Sequence, residues 1–259
     1  MNKKRKRLLC YASGAMRGIY YAGVMRALDE AGIIFSDIAG ISVGSTSAAW
    51  HAAGQAGDVL RAWEALESYR FSYHPFLNTG RSKNLDWLIG NVSLPQLDLQ
   101  ALQESGICLH VAASRILPPW NWKTGIFARE YFRFEGDFDC EEALAALRAS
   151  CYMPFVNGVF SALTIDGRWY LDGGLTGRIP LDCADPNTFE EIWIAVSSSR
   201  GIAELEQINL KRYPETQFVL ITPSEDIPIG RTQINAERFQ ITALLGYFDT
   251  KKKIETLHS

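Results

Sequence analysis

The chain has 259 residues, of which 47% are hydrophobic and 21% are charged, as in ordinary globular proteins. This composition argues against a disordered, collagen-like or coiled-coil protein, and the length predicts one large domain or two small ones. The 26 Lys and Arg residues oppose 29 Asp and Glu residues, which gives a net charge of −3. We therefore expect no nucleic-acid partner, and any anionic partner must be met by a local basic patch.

The cysteines and histidines favour neither a disulfide framework nor a metal site. The five cysteines are widely spaced without a Cys-x-x-Cys pair, and the four histidines show no metal-ligand spacing. The apolar run Leu8–Ala12 is too short for a signal peptide, and the uncharged stretch Ile38–Gly57 is too polar for a membrane span. We expect a cytoplasmic protein with no metal, cofactor, signal peptide or transmembrane segment.

Hydrophobic periodicity predicts alternating strands and helices at the start of the chain. Arg7–Ala12 and Ile33–Ile41 have the apolar character of buried strands, whereas Gly18–Ala31 and Val43–Ala53 have that of helices. This alternation predicts an α/β fold with a mostly parallel, buried sheet between helices.

The later part of the chain contains fewer clear elements. Residues 58–75 look helical, and residues 76–99 look like loop with short helical pieces. Further predictions are strands at Ile107–Ala113, Glu191–Ser197 and Phe218–Thr222, a proline-bearing loop at Leu117–Lys123, and helices at Cys140–Ser150 (capped by Asp139) and Asn235–Leu257. No repeat or long linker is apparent, so we expect a single domain over residues 1–259, with residues 1–6 as a basic tail.

The pentapeptide Gly40-Ile41-Ser42-Val43-Gly44 is a Gly-x-Ser-x-Gly motif between a predicted strand and a predicted helix. A nucleophilic serine must project from a tight turn, where flanking glycines relieve crowding and the helix N-terminus is electropositive. The alternative is an ordinary strand-to-helix turn, because the pentapeptide alone is weak evidence.

Two other segments have the composition of catalytic partners. The small-residue loop Ser13–Gly18 follows the first strand, and its backbone N–H groups would suit an oxyanion. A nucleotide-binding turn is the alternative, but the loop lacks both the Gly-Lys-Ser/Thr end of a P-loop and the first Rossmann glycine. Asp172, followed by two glycines, would provide a base, although Asp-Gly is also a common turn.

Taken together, these segments resemble the patatin-like phospholipase family. Leu147–Phe155 (LRASCYMPF) is similar to the family's RAS-x-x-x-P segment, and Gly167–Gly174 (GRWYLDGG) to its G-x-x-Y-x-D-G-G segment. Gly246–Asp249 is similar to family C-termini. The resemblance extends over roughly residues 7–250, and it is poorly defined at residues 55–105 and 120–140.

The resemblance implies a three-layer α/β/α fold and a serine lipid acyl hydrolase of phospholipase A, lysophospholipase or esterase type. Ser42 would be the nucleophile and Asp172 its general base, forming a dyad without histidine. The resemblance assigns the oxyanion-hole N–H groups to Gly14, Ala15 and Met16. It implies supporting roles for Arg17, Gly18, Gly40, Gly44, Gly173 and Gly174. The expected partner is a phospholipid or another lipid ester.

The oxyanion loop departs from the family pattern of three consecutive glycines, since Gly14 is flanked by Ser13 and Ala15. A side chain at a position of positive φ would be strained. A catalytically silent lipid- or partner-binding module is therefore the alternative function. A Ser–acid–His triad is a further alternative, but only His258, next to the C-terminus, follows Asp172.

Basic and aromatic clusters bear on the substrate. Lys3–Arg7 and Lys251–Lys253 would favour peripheral contact with an anionic membrane surface, or they are solubilising segments. Aromatic residues concentrate at 63–89 and 120–134. They would line an acyl site, form an interfacial lid, or pack in the core and loops.

Overall fold

The computed structural model describes residues 6–71, 80–119, 123, 125–154, 156–157 and 161–258. The strands are β1 (Arg7–Tyr11), β2 (Asp37–Ile41), β3 (Arg70–Phe71), β4 (Ser82–Lys83), β5 (Cys108–Ile116), β6 (Phe127–Phe134), β7 (Leu163–Ile165), β8 (Arg168–Asp172), β9 (Glu191–Ala195) and β10 (Gln217–Ile221). The helices are α1 (Tyr20–Glu30), α2 (Val43–Ala52), α3 (Val59–Glu64), α4 (Leu85–Leu88), α5 (Leu99–Glu104), α6 (Cys140–Ser150), α7 (Ser199–Gln207) and α8 (Ala236–His258).

Within the described residues, eight strands form one mixed sheet in the order β10-β9-β1-β2-β5-β8-β7, and β6 pairs with β5 outside this path. The strands from β10 to β5 are parallel to their neighbours. By contrast, β6 and β8 run antiparallel to β5, and β7 runs antiparallel to β8. The predicted α/β class with a mostly parallel central sheet is confirmed.

Both faces of the sheet are apolar, as is typical of parallel strands covered on two sides. Alternate residues of β1 mark the two faces, because successive side chains of a strand point in opposite directions. Leu9 and Tyr11 pack in the core that contains residues of α1, α2, α6 and α8. Leu8 and Cys10 pack in a second core with the 179–189 segment and α7.

Helices α1 and α8 contact each other through their backbones. A Cβ atom at Gly23 would overlap the carbonyl of Ala243, and one at Gly246 would overlap the carbonyl of Tyr20. The Tyr20 hydroxyl also donates a hydrogen bond to Asp249 at 2.9 Å. The Gly246–Asp249 segment therefore fixes the C-terminal helix against α1.

Several predicted boundaries are wrong. The second strand begins at Asp37 instead of Ile33, and the segment after α3 ends in a short strand and not in helix. Neither β6 nor α7 is apparent from hydrophobic periodicity. β6 is mostly half-buried and mixes aromatic with charged residues, so it lacks the apolar alternation of a strand with one buried face. Its aromatic residues extend along β5 as part of the sheet and do not form a lid.

The two basic blocks differ in how much of them the structure describes. Residues 1–5 lie outside the described part of the chain. Lys6 lies 4.7 Å from the centre of the Phe189 ring, and Arg7 pairs with Glu191 at 2.9 Å, so these two residues belong to the folded sheet edge. Lys251–Lys253 lie on the last turns of α8. Contact with a membrane stays a prediction.

Helix α8, with 23 residues, is long enough to cross a bilayer but carries charged residues along its length. None of the helices in the described ranges combines the length and apolar character of a membrane-spanning segment.

Candidate active site

The candidate site forms where β2 and β8 meet end to end along one edge of β5. β2 runs parallel to β5, and its last residue, Ile41, pairs with Ala112. β8 runs antiparallel to β5, and its last residue, Asp172, pairs with the next residue, Ala113. Because β6 occupies the other edge of β5, the ends of β2 and β8 point towards each other. Ser42, which directly follows β2, therefore lies beside Asp172.

The two side chains are joined by a short hydrogen bond. Ser42 Oγ donates to Asp172 Oδ2 at 2.7 Å, and Asp172 Oδ1 accepts from the Gly174 N–H at 2.7 Å. The backbone N–H of Asp172 donates to the Tyr152 carbonyl at 2.8 Å. Only 1% of Asp172 and 8% of Ser42 are exposed. Both carboxylate oxygens are thus held in place, with one of them facing the serine hydroxyl.

Burial raises the pKa of Asp172 to about 6, well above the ordinary value of 3.8. Hydrogen bonds from Ser42 and Gly174, and the positive charges of Arg231 and Arg178, oppose this effect in part. A carboxylate with this pKa remains mostly ionised at pH 7, yet it is a stronger base than an ordinary aspartate.

Ser42 stands on a strained turn. Its φ of 57° and ψ of −128° are unusual for a residue other than glycine. The Ser42 N–H donates to Ser150 Oγ at 2.9 Å, and Ser150 Oγ donates in turn to the Ala112 carbonyl at 2.6 Å. Ser150 therefore fixes the turn to β5. In the sequence analysis Ser150 is only a member of the segment Leu147–Phe155, and no role is predicted for it.

The two glycines of the serine motif are required by close backbone contacts. A Cβ atom at Gly40 would overlap the backbone of Gly44, and one at Gly44 would overlap the Tyr11 carbonyl in β1. The other three predicted supporting glycines are similarly confined: Gly18 by Val43, Gly173 by the Ala112 carbonyl and Gly174 by the Asp172 carboxylate.

The predicted oxyanion loop lies next to Ser42, but its amides are not equivalent. The Met16 N–H donates to the Arg231 carbonyl at 3.1 Å, in contrast to the expectation that it faces an oxyanion. Within the described residues, the N–H groups of Gly14 and Ala15 have no protein acceptor. Arg17 points its Nε at the Ile229 carbonyl, at 3.4 Å, and not at the dyad.

The loop lacks the three consecutive glycines of the family pattern, and its backbone is strained at Ala15. Ala15 has a φ of 54°, in the left-handed region where a side chain is unfavourable. Gly14 has an extended φ of −155°, but a Cβ atom there would overlap Ser197 Oγ. The loop thus keeps its shape at the cost of strain at Ala15.

A cavity of about 390 Å³ adjoins the serine. Ser42, Ala15 and Met16 line it together with mainly apolar residues of α2, α3 and α4. This volume is typical of a pocket for a small organic ligand. Trp63 and Phe71, from the first aromatic cluster, contribute to the lining, which supports the acyl-site interpretation for these two residues.

The histidine side chains that the structure describes lie elsewhere. His51 contacts the Tyr11 hydroxyl at 2.7 Å and Asp29 at 3.1 Å. His110 contacts Asp37 at 3.0 Å. His74 and the side chain of His258 lie outside the described residues.

The structure also gathers a polar cluster that sequence spacing did not predict. The ligand-type atoms of Asp37, Cys108 and His110 lie within 4.8 Å of one another. They are buried at the start of β2 and β5, whereas the dyad lies at the end of β2. Arg133 Nε donates to Cys108 Sγ at 2.9 Å, so a guanidinium cation contacts the cluster that contains the Asp37 carboxylate.

A serine on a strand-to-helix turn with a carboxylate beside it, in a largely parallel α/β sheet, is an arrangement typical of hydrolases. Residues 9–185 match the model of the family described as patatin-like phospholipase. This match covers more than half of the chain, which therefore belongs to the patatin-like phospholipase family, a family of lipid hydrolases.

Solved structures similar to this chain include VipD and ExoU. VipD from Legionella pneumophila is 14% identical, with a TM-score of 0.53, and the match covers 98% of this chain and 67% of VipD. The type III effector protein ExoU is 13% identical, with a TM-score of 0.42, and the match covers 97% of this chain and 53% of ExoU. The likeness to VipD shows the fold, and this chain spans only part of both proteins.

Proposed function

We propose that the protein is a serine lipid acyl hydrolase in which Ser42 is the nucleophile and Asp172 the general base. The observation that carries this proposal is the 2.7 Å hydrogen bond from Ser42 Oγ to the buried carboxylate. The raised pKa of Asp172 supports the same role, because a base works best when its pKa approaches the working pH.

In this mechanism Asp172 Oδ2 takes the hydroxyl proton while Ser42 Oγ attacks the ester carbonyl carbon. The carbonyl electron pair moves onto oxygen, and the N–H groups of Gly14 and Ala15 stabilise the resulting oxyanion. Collapse breaks the ester C–O bond, and the departing alcohol takes the proton from Asp172. Water then attacks the acyl carbonyl carbon while Asp172 takes one of its protons. The bond from the acyl carbon to Ser42 Oγ breaks, and Asp172 returns the proton to Oγ, so the fatty acid is released and Ser42 is restored.

The adjoining cavity supports an acyl chain as the part of the substrate next to the ester. Its lining is mostly apolar and includes Trp50, Trp63 and Leu88, so burial of a hydrocarbon chain would be favourable. The cavity also contacts Ser42 directly. An acyl chain held there would present its carbonyl to the nucleophile.

Backbone strain favours the hydrolase over a catalytically silent binding module. Ser42 and Ala15 both adopt positive φ, and each such residue costs on the order of 1–3 kcal/mol. Lipid binding alone would not require a strained serine turn next to a strained loop. Strain of this kind is typical of sites where geometry serves chemistry.

A fluorophosphonate probe and a soluble p-nitrophenyl ester test the proposal. The wild-type chain should be labelled at Ser42, and Ser42→Ala should lose both labelling and hydrolysis, on the order of a millionfold in turnover. The exposed Ser224 provides a matched control, so Ser224→Ala should behave like the wild type. Absence of labelling in the folded wild-type chain would favour the silent module instead.

A further inference from the structure

Two arginines flank the loop that we assign to the oxyanion. The Arg178 carbonyl accepts a hydrogen bond from the Ser13 N–H at 3.0 Å. On the other side, the Arg231 carbonyl accepts from the Met16 N–H at 3.1 Å. Both arginines are therefore fixed to the Ser13–Met16 loop through their own backbone groups.

Two further arginines are adjacent in sequence to the loop or to a residue that contacts it. Arg17 directly follows Met16 in the chain, and its Nε donates to the carbonyl of Ile229. Arg200 lies in the first turn of α7, two residues after Ser198, whose Oγ donates to the Ser13 carbonyl at 3.4 Å. We call Arg17, Arg178, Arg200 and Arg231 the arginine cluster.

The arginine cluster carries an excess of positive charge. Glu204 pairs with Arg178 at 3.6 Å, but in the described parts of the chain Arg17, Arg200 and Arg231 have no carboxylate partner. Burial and repulsion by the other three guanidinium groups lower the pKa of Arg231. Repulsion of this kind is relieved when an anion binds between the cations. In a chain with a net charge of −3, this is a local basic patch of the kind that an anionic ligand requires.

The arginine cluster is also connected to the catalytic dyad and to the apolar cavity. Arg231 lines the same cavity as Ser42. The charges of Arg231 and Arg178 act on the Asp172 carboxylate. In a glycerophospholipid, a short glycerol linker joins the acyl ester to the phosphate. An acyl chain in the cavity with its ester at Ser42 would leave the phosphate near these arginines.

We propose that the arginine cluster binds the phosphate of a lipid substrate and selects head groups of net negative charge over zwitterionic ones. This inference rests on the proposed function of Ser42. Guanidinium groups suit phosphate because they donate paired hydrogen bonds in a fixed plane. Glu204, the carboxylate that pairs with Arg178, already accepts hydrogen bonds from the N–H groups of Arg178 and Ile179, so it is not available to a choline ammonium.

Binding in a chain that cannot turn over tests the selectivity directly. In the Ser42→Ala background, calorimetry would measure the Kd for dihexanoyl-phosphatidylglycerol and dihexanoyl-phosphatidylcholine, which have the same acyl chains. We expect the phosphatidylglycerol to bind at least tenfold more tightly. Adding Arg200→Gln and Arg231→Gln should remove this preference. Adding Arg212→Gln, an exposed arginine outside the arginine cluster, should leave it intact.

The same titrations define the results that overturn the proposal. Equal affinity for the two lipids, or a preference that persists without Arg200 and Arg231, would refute a head-group site at the arginine cluster. Inorganic phosphate binding as tightly as phosphatidylglycerol, and lost in the same variant, would indicate a site for free anions instead. Failure of the wild-type chain to hydrolyse either lipid would contradict the proposed function alone, because the binding result does not depend on turnover.

Discussion

Asp172 combines deep burial with an ionised carboxylate, and replacing it with asparagine separates these two properties. Asparagine has nearly the same shape, and its carbonyl oxygen can still accept the hydrogen bond from Gly174. It carries no charge and cannot accept the proton of Ser42. We therefore expect Asp172→Asn to lose ester hydrolysis while the stability of the chain becomes less dependent on pH.

The size of the effect follows from the pKa of Asp172, which is about 6 in the folded chain against an ordinary value of 3.8. Because folding raises this pKa, the folded chain binds a proton at Asp172 more tightly than the unfolded chain does. The stability that this proton contributes is fully present below pH 3.8 and is lost as the pH rises through about 6. Two pKa units correspond to about 3 kcal/mol. Between pH 4 and pH 8, the wild-type chain should lose roughly 2–3 kcal/mol relative to Asp172→Asn.

Urea unfolding monitored by tryptophan fluorescence at intervals from pH 4 to pH 8 would measure this difference. Subtracting the two free energies of unfolding removes the contributions of groups that titrate alike in both chains. The exposed Asp166 provides a matched control for the substitution, because Asp166→Asn makes the same chemical change away from the buried site. A difference between Asp172→Asn and the wild type that stays constant from pH 4 to pH 8 would refute the argument from burial.

Two further outcomes follow from the same geometry. Since Asp172 must be ionised to act as the base, kcat/KM for a soluble neutral ester should rise with pH through about 6 and then level off; a rise centred near pH 4 in the pH–rate profile would contradict this assignment. Gly44→Ala would force a Cβ atom into the Tyr11 carbonyl, so thermal melting should show a loss of about 2 kcal/mol or more. Gly57→Ala, at a site with open space, should be close to neutral.

The elements on either side of Ser42 were the most predictable from sequence, because local signals determine them, whereas β8, which carries Asp172, was not among the predicted strands. The strand before Ser42 and the helix after it follow from hydrophobic pattern and from the glycines. Helix α6 likewise begins after Asp139, whose carboxylate accepts the N–H groups of Glu141 and Glu142 as expected from its capping position. Such features depend on residues only a few positions apart.

Features that depend on distant residues were not predictable in this way. The Met16 N–H donates to the carbonyl of Arg231, which lies in a segment without regular structure. The neighbours Asp37 and Cys108 are brought together by the register of β2 and β5, which places them opposite each other. The spacing of residues in the sequence does not indicate the register between strands as far apart in the chain as β2 and β5. For this reason the polar cluster and the arginine cluster emerge only from the fold.

The meeting of β2 and β8 explains why the proposed mechanism needs no histidine. In a Ser–His–Asp triad an imidazole stands between the serine and the carboxylate. Here the two strands end at adjacent positions of β5, and the 2.7 Å between Ser42 Oγ and Asp172 Oδ2 leaves no room for a ring. In the proposed mechanism the carboxylate accepts the proton itself, and burial supplies part of the basicity that an imidazole would provide. The arrangement of β2 and β8 along β5 therefore accounts both for the contact between Ser42 and Asp172 and for the absence of a histidine from the mechanism that we propose.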